Sequence, residues 1–324
     1  MTLFTLVELE AAAALVHRTV PPTPQYAWPL LAKRIGTEVW VKHENHTPTG
    51  AFKVRGGLVY MDALKRSGPG IKTVVSATRG NHGQSIALAA ARAGLRSIIY
   101  VPHRNSLEKN AAMRAFGAEL VEFGQDFDTA KNEAMRMAKA EGLHFVPSYH
   151  RDIVMGVATY ALELFRAVPE LDRVYVPIGL GSGIAGVITV RDLLGLTTEI
   201  VGVVSENAAA YALSFAAGEV VATNSARTFA DGVAVRQPDA AALALIIKGA
   251  ARVARVTDDG IATAIRAYYT DTHNLAEGAG AAPLAALMQD GREAQGKKVA
   301  VVLCGGNIDT DPFCQIMGGA TPQV

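Results

Sequence analysis

The chain has 324 residues, half of them hydrophobic, and its formal net charge is +1 at pH 7. Such a chain can bury the core of one large domain or two modest ones, which argues against a disordered or repeat protein. Because its charges nearly cancel and no long basic run interleaves with aromatic residues, it lacks the footprint of a nucleic-acid-binding protein.

Cys304 and Cys314 offer neither a disulfide framework nor the paired spacing of a metal site, which fits a reducing compartment. The N-terminal residues, among them Glu8 and Glu10, do not form a basic segment followed by an apolar one, so we expect no signal peptide. No uninterrupted apolar run reaches the length of a membrane-spanning helix. We therefore expect a cytoplasmic enzyme with neither membrane nor nucleic-acid partners.

The first part of the chain predicts a helix, a strand and a second helix. Residues 5–17 are rich in Ala and Leu and predict a helix, which the proline cluster at 21–24 ends. Residues 38–42 predict a strand. Residues 54–65 predict a helix that the Ser-Gly-Pro-Gly sequence at 67–70 breaks.

Lys53 is the residue of this region that is best placed for chemistry. It follows the turn-forming Pro48 and Gly50, and the apolar Phe52 and Val54 flank it. Burial against these neighbours and a position near a helix N-terminus would lower the pKa of its amine, so Lys53 could act as a nucleophile and base. The alternative is a solvated lysine without a chemical role, which is the usual state of lysines.

Residues 73–102 contain the first clear strand, turn, helix and strand. A β-branched run at 73–76 is followed by a small polar turn at 77–83, an Ala-rich run at 84–93 and an apolar run at 97–102. Such alternation implies parallel strands joined by right-handed crossovers. It continues with a predicted helix at 107–116, a strand at 118–123, a helix at 128–141 and a strand at 143–147, followed by a glycine-containing junction at 150–156 and a helix at 157–165.

The turn Thr-Arg-Gly-Asn-His-Gly at 78–83 lies where a ligand is expected, because parallel sheets bind ligands beyond the carboxyl ends of their strands. Its backbone amides at a helix start suit a carboxylate. The alternative is a tight turn with a polar cap.

A glycine-rich loop at 179–186 follows the predicted strand 173–178 and opens a predicted helix at 185–194. Closely spaced glycines let successive N–H groups converge on an anion. Gly181-x-Gly183-x-x-Gly186 matches the dinucleotide fingerprint, and Glu206 follows the next strand where a ribose-binding acid belongs. This region alone therefore favours an NAD-dependent dehydrogenase, with a smaller phosphate as the alternative.

The last third predicts helices at 208–217 and 257–270 and a strongly apolar strand at 298–303. Glu277 lies before a small-residue helix and by default would be solvated. Cys304 ends the last strand, where a cysteine is usually a small hydrophobe unless a ligand lies above it.

Four motifs, in order along nearly the whole chain, together resemble the fold type II pyridoxal-phosphate enzymes, and in particular the serine/threonine dehydratase and serine racemase family. They are Lys53 after a strand, the Gly-Asn-His-Gly turn, the glycine loop and Cys304-Gly-Gly-Asn. The resemblance implies a two-domain α/β fold like that of the tryptophan synthase β chain. A small α/β domain at 61–149 would be inserted in a large, parallel-sheet-based domain at 1–60 and 150–324. An NAD-dependent dehydrogenase would explain the glycine loop but not the other three motifs.

The resemblance also implies the role of each site residue. Lys53 would form the Schiff base with pyridoxal 5'-phosphate, Asn81 would hydrogen-bond the ring hydroxyl, and Cys304 would replace the usual Ser facing the pyridine nitrogen. The implied cofactor-binding residues are Lys53, Phe52, Asn81, Gly179, Leu180, Gly181, Ser182, Gly183, Glu277 and Cys304, and the implied substrate-binding residues are Arg79, Gly80, Asn81 and His82.

The implied activity is elimination of water from an L-3-hydroxy amino acid, threonine or serine by default, to a 2-oxo acid and ammonia. Racemases of the family have Ser where this chain has Arg79, and a guanidinium is a poor base, so we expect elimination rather than racemisation. Arg79 could also reach an acidic or aromatic β-substituent, as in 3-hydroxyaspartate or phenylserine. A racemase or β-replacement synthase, an NAD-dependent dehydrogenase and a non-catalytic binding protein are the alternatives.

Two further expectations follow from the resemblance. The divalent-metal site of many members would use Glu206 and Ala210, but Ala212 stands where a second carboxylate is expected, so we expect no metal. Members of the family usually form dimers, so the resemblance predicts a homodimer. Because the chain ends soon after Asn307, we also expect no appended regulatory domain.

Overall fold

The structure is a computed structural model that describes residues 3–68 and 70–323. Strands and helices alternate along most of the chain. The strands are β1 (Gln25–Ala27), β2 (Glu38–His43), β3 (Thr73–Ala77), β4 (Arg96–Val101), β5 (Glu119–Glu122), β6 (His144–Phe145), β7 (Arg173–Pro177), β8 (Glu199–Ser205), β9 (Arg252–Val256) and β10 (Lys298–Leu303).

The helices follow the same order. They are α1 (Leu6–Val16), α2 (Pro29–Ile35), α3 (Lys53–Ser67), α4 (Asn81–Arg92), α5 (Leu107–Ala115), α6 (Phe127–Ala140), α7 (Arg151–Ala167), α8 (Ser182–Leu193), α9 (Ala210–Ala217), α10 (Ala240–Gly249), α11 (Asp258–Thr272), α12 (Gly278–Asp290) and α13 (Thr310–Met317). In the part of the chain that the structure describes, no helix is long and apolar enough to cross a membrane.

The larger sheet has six strands in the order β1-β2-β10-β7-β8-β9. All neighbouring pairs are parallel except β1, which runs antiparallel to β2 at one edge. The last strand of the chain, β10, therefore lies between β2 and β7, and every residue from Val299 to Leu303 is buried. Because parallel strands end at the same edge, the segments after β2, β7 and β10 meet there.

The smaller sheet has four parallel strands in the order β5-β4-β3-β6 and lies within the segment predicted as the small domain. This confirms the parallel α/β class. The domain boundaries themselves stay a prediction, and the first of them, between residues 60 and 61, falls inside the continuous helix α3.

Helix α7 begins at Arg151, although the sequence predicts a glycine-containing junction at 150–156. Gly156 is inside the helix because α7 crosses α3 there: a Cβ at Gly156 would lie 2.3 Å from the carbonyl oxygen of Arg55. A Cβ at Gly56 of α3 would likewise lie 2.8 Å from the carbonyl oxygen of Ile153. Close helix packing, rather than a chain break, thus explains this glycine.

A buried ion network lies beneath the first turn of α3. The Arg55 guanidinium donates to Glu44 at 2.7 Å and to Glu163 at 2.6 Å, and the Lys42 amine donates to Glu163 at 2.6 Å. Arg55, Glu44 and Lys42 are fully buried. Burial raises the pKa of Glu163, but pairing with Arg55 and Lys42 outweighs this and leaves the pKa below its ordinary value. The network ties α3 to β2 and α7.

We predict that Arg55→Met destabilises the fold by about 3–5 kcal/mol, because it leaves buried carboxylates short of a partner. The control is Arg66→Met on the same helix, whose exposed pair with Asp62 contributes less than about 1 kcal/mol. Urea denaturation measures both. The pKa of Glu163 is lower in the folded protein than in the unfolded chain. Its contribution to the free energy of unfolding is therefore fully present above the unfolded-state pKa and is lost as the pH falls through the folded-state pKa. Equal midpoints for the two variants would contradict this role.

Candidate active site

The turn that carries Lys53 is paired with the end of β10. Ala51 and Gly305 form an antiparallel bridge, the Phe52 N–H donates to the Cys304 carbonyl at 3.0 Å, and the Gly306 N–H donates to the Gly50 carbonyl at 2.9 Å. Lys53 is then the first residue of α3, as the sequence predicts for a lysine near a helix N-terminus. The pairing places Lys53 and Cys304 at one edge of the large sheet.

Lys53 has the environment of a reactive amine. Its Nζ lies 4.7 Å from the centroid of the Phe52 ring. Burial lowers the pKa of the Lys53 amine, and among the described residues the amine has no ion-pair partner or hydrogen-bond acceptor. Lys42 is buried, but it donates to Glu163 and to the Thr23 carbonyl. Lys53 is therefore a half-buried lysine whose amine is left for a ligand.

The glycine loop after β7 presents a set of backbone donors. Across residues 3–68 and 70–323, no acceptor is found for the N–H groups of residues 180–184. Gly181 has a left-handed φ of 97°, and a Cβ at Gly179 would lie 2.4 Å from the Gly232 carbonyl oxygen. Buried N–H groups are normally paired, so these donors and the start of α8 form a cradle for an anion such as a phosphate.

Asn81, Glu277 and Asn307 form a hydrogen-bonded chain at the side of this cavity. Asn81 Nδ2 donates to Glu277 Oε1 at 2.7 Å, and Asn307 Nδ2 donates to Asn81 Oδ1 at 2.8 Å. Glu277 is buried, and burial raises the pKa of its carboxyl group. The default expectation of a solvated Glu277 is therefore wrong. Asn307 was not among the predicted site residues, although it ends the Cys-Gly-Gly-Asn motif.

Cys304 is buried at the end of β10. Burial raises the pKa of its thiol well above the ordinary value, with the Glu277 carboxylate acting in the same direction. Cys304 therefore stays a neutral thiol. It supplies a weak hydrogen-bonding group and no charge to whatever lies above it.

All ten residues implied for the cofactor line one cavity. They are joined there by Pro177, Gly232 and Ala279. The cavity combines an unpaired amine, an anion cradle, and a half-buried Asn and a buried Glu at its side, which are the groups that pyridoxal phosphate needs for its aldehyde, phosphate and ring hydroxyl. The chemistry of this donor set fits that cofactor.

The implied substrate-binding turn is arranged differently from the expectation. The Gly80 N–H donates to Thr78 Oγ1 at 3.0 Å, so this amide is already used inside the turn. His82 is buried with its Nε2 at 3.2 Å from Ser76 Oγ, and burial lowers the pKa of His82 to about 3. Helix α4 begins at Asn81 rather than at the predicted Gln84, so Asn81 and His82 belong to its first turn.

Arg79 extends from this turn to Asp231, and their charged groups are 3.5 Å apart. Lys109 Nζ donates to the other oxygen of Asp231 at 3.0 Å. Lys109 and Asp231 also line a second cavity, which shares Glu277 with the first. Sequence reasoning missed both residues, since each is charged and neither lies in a recognisable motif.

The two weak metal candidates do not form a metal site. Glu206 is exposed after β8, and Ala210 is buried. Within the described ranges, no group of three or more His, Cys, Asp or Glu side chains could hold a metal ion. The absence of a metal requirement stays a prediction.

Comparisons with known proteins agree with this geometry. A family model described as pyridoxal-phosphate dependent enzyme matches residues 16–305. An L-threonine ammonia-lyase of Geobacter sulfurreducens is 36% identical over 279 residues, which cover 86% of this chain and 69% of that protein.

Solved structures are similar over almost the whole chain. A processed threonine deaminase isoform 2 from Solanum lycopersicum has a TM-score of 0.90 at 29% identity and covers 97% of this chain and 91% of its own. A maize serine racemase has a TM-score of 0.89 at 26% identity and covers 97% of both chains. The chain therefore belongs to the family of pyridoxal-phosphate dependent enzymes, with the fold of its fold type II members.

Proposed function

We propose that this enzyme is a dehydratase that eliminates water from an L-3-hydroxy amino acid of the threonine or serine type, giving a 2-oxo acid and ammonia. The names of its relatives, L-threonine ammonia-lyase and threonine deaminase, support this reaction class. The identity of 36% to the first of them, spread over most of both chains, supports the same chemistry.

The side chains of the cavity fit the proposed steps. Bound pyridoxal phosphate supplies electron withdrawal from the α-carbon of an amino acid. The Lys53 amine, whose pKa burial lowers, can accept the α-proton at neutral pH. The neutral thiol of Cys304 cannot keep the ring nitrogen protonated as a carboxylate would, so electron withdrawal is limited and prompt loss of the β-hydroxyl is favoured.

We propose elimination rather than racemisation because of the side chain at position 79. The family resemblance implies that racemases have a Ser at this position, which serves as their second acid/base. In this chain the position holds Arg79, whose guanidinium is paired with Asp231. A guanidinium stays protonated at any physiological pH, so it does not accept or return the α-proton. Racemisation and β-replacement are therefore the secondary candidates, and the pyridoxal-phosphate family replaces the NAD-dependent dehydrogenase alternative.

The backbone turn before α4 is the proposed binding site for the substrate carboxylate. With the Gly80 amide used by Thr78, the N–H groups of Arg79, Asn81 and His82 are the donors that the described residues leave without an acceptor. They lie at the positive end of a helix, which favours an anion. We propose these three amides as the carboxylate site.

Arg79 is the proposed determinant of the β-substituent. Its side chain is 45% exposed, and its shortest approach to Asp231 is 3.5 Å. The guanidinium therefore has further donors for an acidic substituent and a flat face for an aromatic one. Threonine and serine are the proposed default substrates, with 3-hydroxyaspartate and phenylserine as the bulkier candidates.

We further propose a cytoplasmic homodimer in which residues 61–149 form the small domain. The dimer and the domain division follow the family resemblance, and the cytoplasmic location follows the cysteine content and the composition of the N-terminal residues. Light scattering of the purified protein tests the dimer, which a monomeric mass would contradict.

We predict that borohydride reduction of the yellow holoenzyme links pyridoxal phosphate to Lys53, as peptide mass spectrometry would detect. Lys42 is the internal comparison, since it is buried but paired, and we expect no label there. Lys53→Ala should remove the label and reduce activity by at least about 100-fold, because it removes the group proposed to transfer the α-proton. A label on another lysine would contradict the assignment.

We predict that Arg79→Ala changes the ratio of kcat/KM values for threonine, serine, 3-hydroxyaspartate and phenylserine by about tenfold or more, because it removes a charged contact. Release of 2-oxo acid measures all four rates. Arg92→Ala, at the exposed far end of α4, is the matched control and should leave the ratios unchanged. Unchanged ratios in Arg79→Ala would reject Arg79 as the determinant, whereas a lack of 2-oxo acid from every substrate would reject the dehydratase itself.

A further inference from the structure

Two buried tyrosines approach the glycine loop from different helices. Tyr160 of α7 donates its hydroxyl to the Gly183 carbonyl at 3.2 Å, and Tyr211 of α9 donates to the Leu180 carbonyl at 3.2 Å. Each side chain is about 1% exposed. The loop is thus held near both ends by hydroxyl groups that come from outside the strand and helix that it joins.

These two hydrogen bonds hold the loop peptides, and the one from Tyr211 determines which way a peptide outside α8 faces. In a trans peptide the C=O and the following N–H point in opposite directions. A Leu180 carbonyl held by Tyr211 therefore turns the Gly181 N–H the other way. Gly183 is the second residue of α8, so its carbonyl already has the direction of the helix, and the Tyr160 hydroxyl adds a hydrogen bond that holds this first turn and its Ile184 N–H in place. Among the described residues both N–H groups lack an acceptor, and both belong to the anion cradle.

Each tyrosine is itself fixed in place. The Asp239 N–H donates to Tyr211 Oη at 3.0 Å, which leaves the hydroxyl proton of Tyr211 for the Leu180 carbonyl. The Tyr160 ring packs edge-on against Phe52, with ring centroids 6.0 Å apart and an interplanar angle of 84°. Tyr160 therefore also connects the cradle to the residue beside Lys53.

We propose that Tyr160 and Tyr211 are positioning residues for the cofactor phosphate: Tyr211 turns the Leu180 carbonyl away and the Gly181 N–H toward the anion, and Tyr160 holds the first turn of α8, with its N–H groups, in place against the anion. Neither hydroxyl lines the cavity, so the effect passes through the loop. Burial raises the pKa of both tyrosines, so both hydroxyls stay protonated and remain donors. A freed Leu180 carbonyl could rotate toward the phosphate and repel it, and a first turn of α8 without the Tyr160 hydrogen bond would hold its N–H groups less firmly.

The test compares two ligands that differ in the phosphate. Apoenzymes of the wild type, Tyr160→Phe, Tyr211→Phe and the double variant are titrated with pyridoxal phosphate and with pyridoxal, and binding is followed by the quenching of protein fluorescence. Tyr175→Phe is the control, because Tyr175 is also buried and donates a hydrogen bond, but to Asp290 rather than to the loop. Thermal unfolding of each apoenzyme shows that the variants are folded.

Each Tyr→Phe change should weaken pyridoxal phosphate binding about fivefold, and the double variant about 25-fold, as expected for one net hydrogen bond each. Pyridoxal affinity should change less than about twofold, and Tyr175→Phe should leave both affinities within about twofold. Equal losses for pyridoxal and pyridoxal phosphate would overturn the proposal, and so would a double variant with wild-type affinity for pyridoxal phosphate. Since the two tyrosines lie on separate helices, either single variant tests the proposal if the other fails to fold.

Discussion

The pairing of the Lys53 turn with the end of β10 is the contact on which the site depends. Ala51 bridges Gly305, and the Phe52 N–H donates to the Cys304 carbonyl. Since β10 lies between β2 and β7, the same pairing brings the segment after β2 close to the glycine loop after β7. The residues that would hold the aldehyde, the ring nitrogen and the phosphate of the cofactor therefore meet at one sheet edge.

The charged groups around Arg55 and Lys42 have partners, whereas the amine of Lys53 has none, and this contrast indicates the position of the active site. Around Arg55 and Lys42, every buried charge has an opposite charge at hydrogen-bond distance. The Lys53 amine has none among the described residues, and burial lowers its pKa. The unpaired donors of Lys53 and of the cradle face one cavity, and they indicate where a ligand supplies the missing acceptors.

Most of the secondary structure follows from local patterns, and the exceptions have physical causes. The β-branched runs and Ala-rich runs after residue 73 predict the strands and helices of the small parallel sheet well. Their hydrophobic residues recur with a period that depends on whether one face or both faces of the element are buried. The prediction of a junction at 150–156 is wrong because Gly156 serves a close helix crossing. The segments β1, α2, β9, α10 and α13 were not predicted. Strand β1 has three residues and α2 has seven, which are too few to show a period, and the apolar and small residues of α10 follow one another without a helical period.

The sequence by itself determined the family, the α/β class and the candidate cofactor residues, because each motif combines a residue type with a local turn that its chemistry requires. The tertiary structure decided what these residues meet: Asp231 beside Arg79, Asn307 beside Asn81, and Glu277 buried rather than solvated. It also brought Tyr160 and Tyr211 to the glycine loop from α7 and α9. Such partners lie far apart along the chain and have no local signature, because long-range contacts are set by how the layers pack.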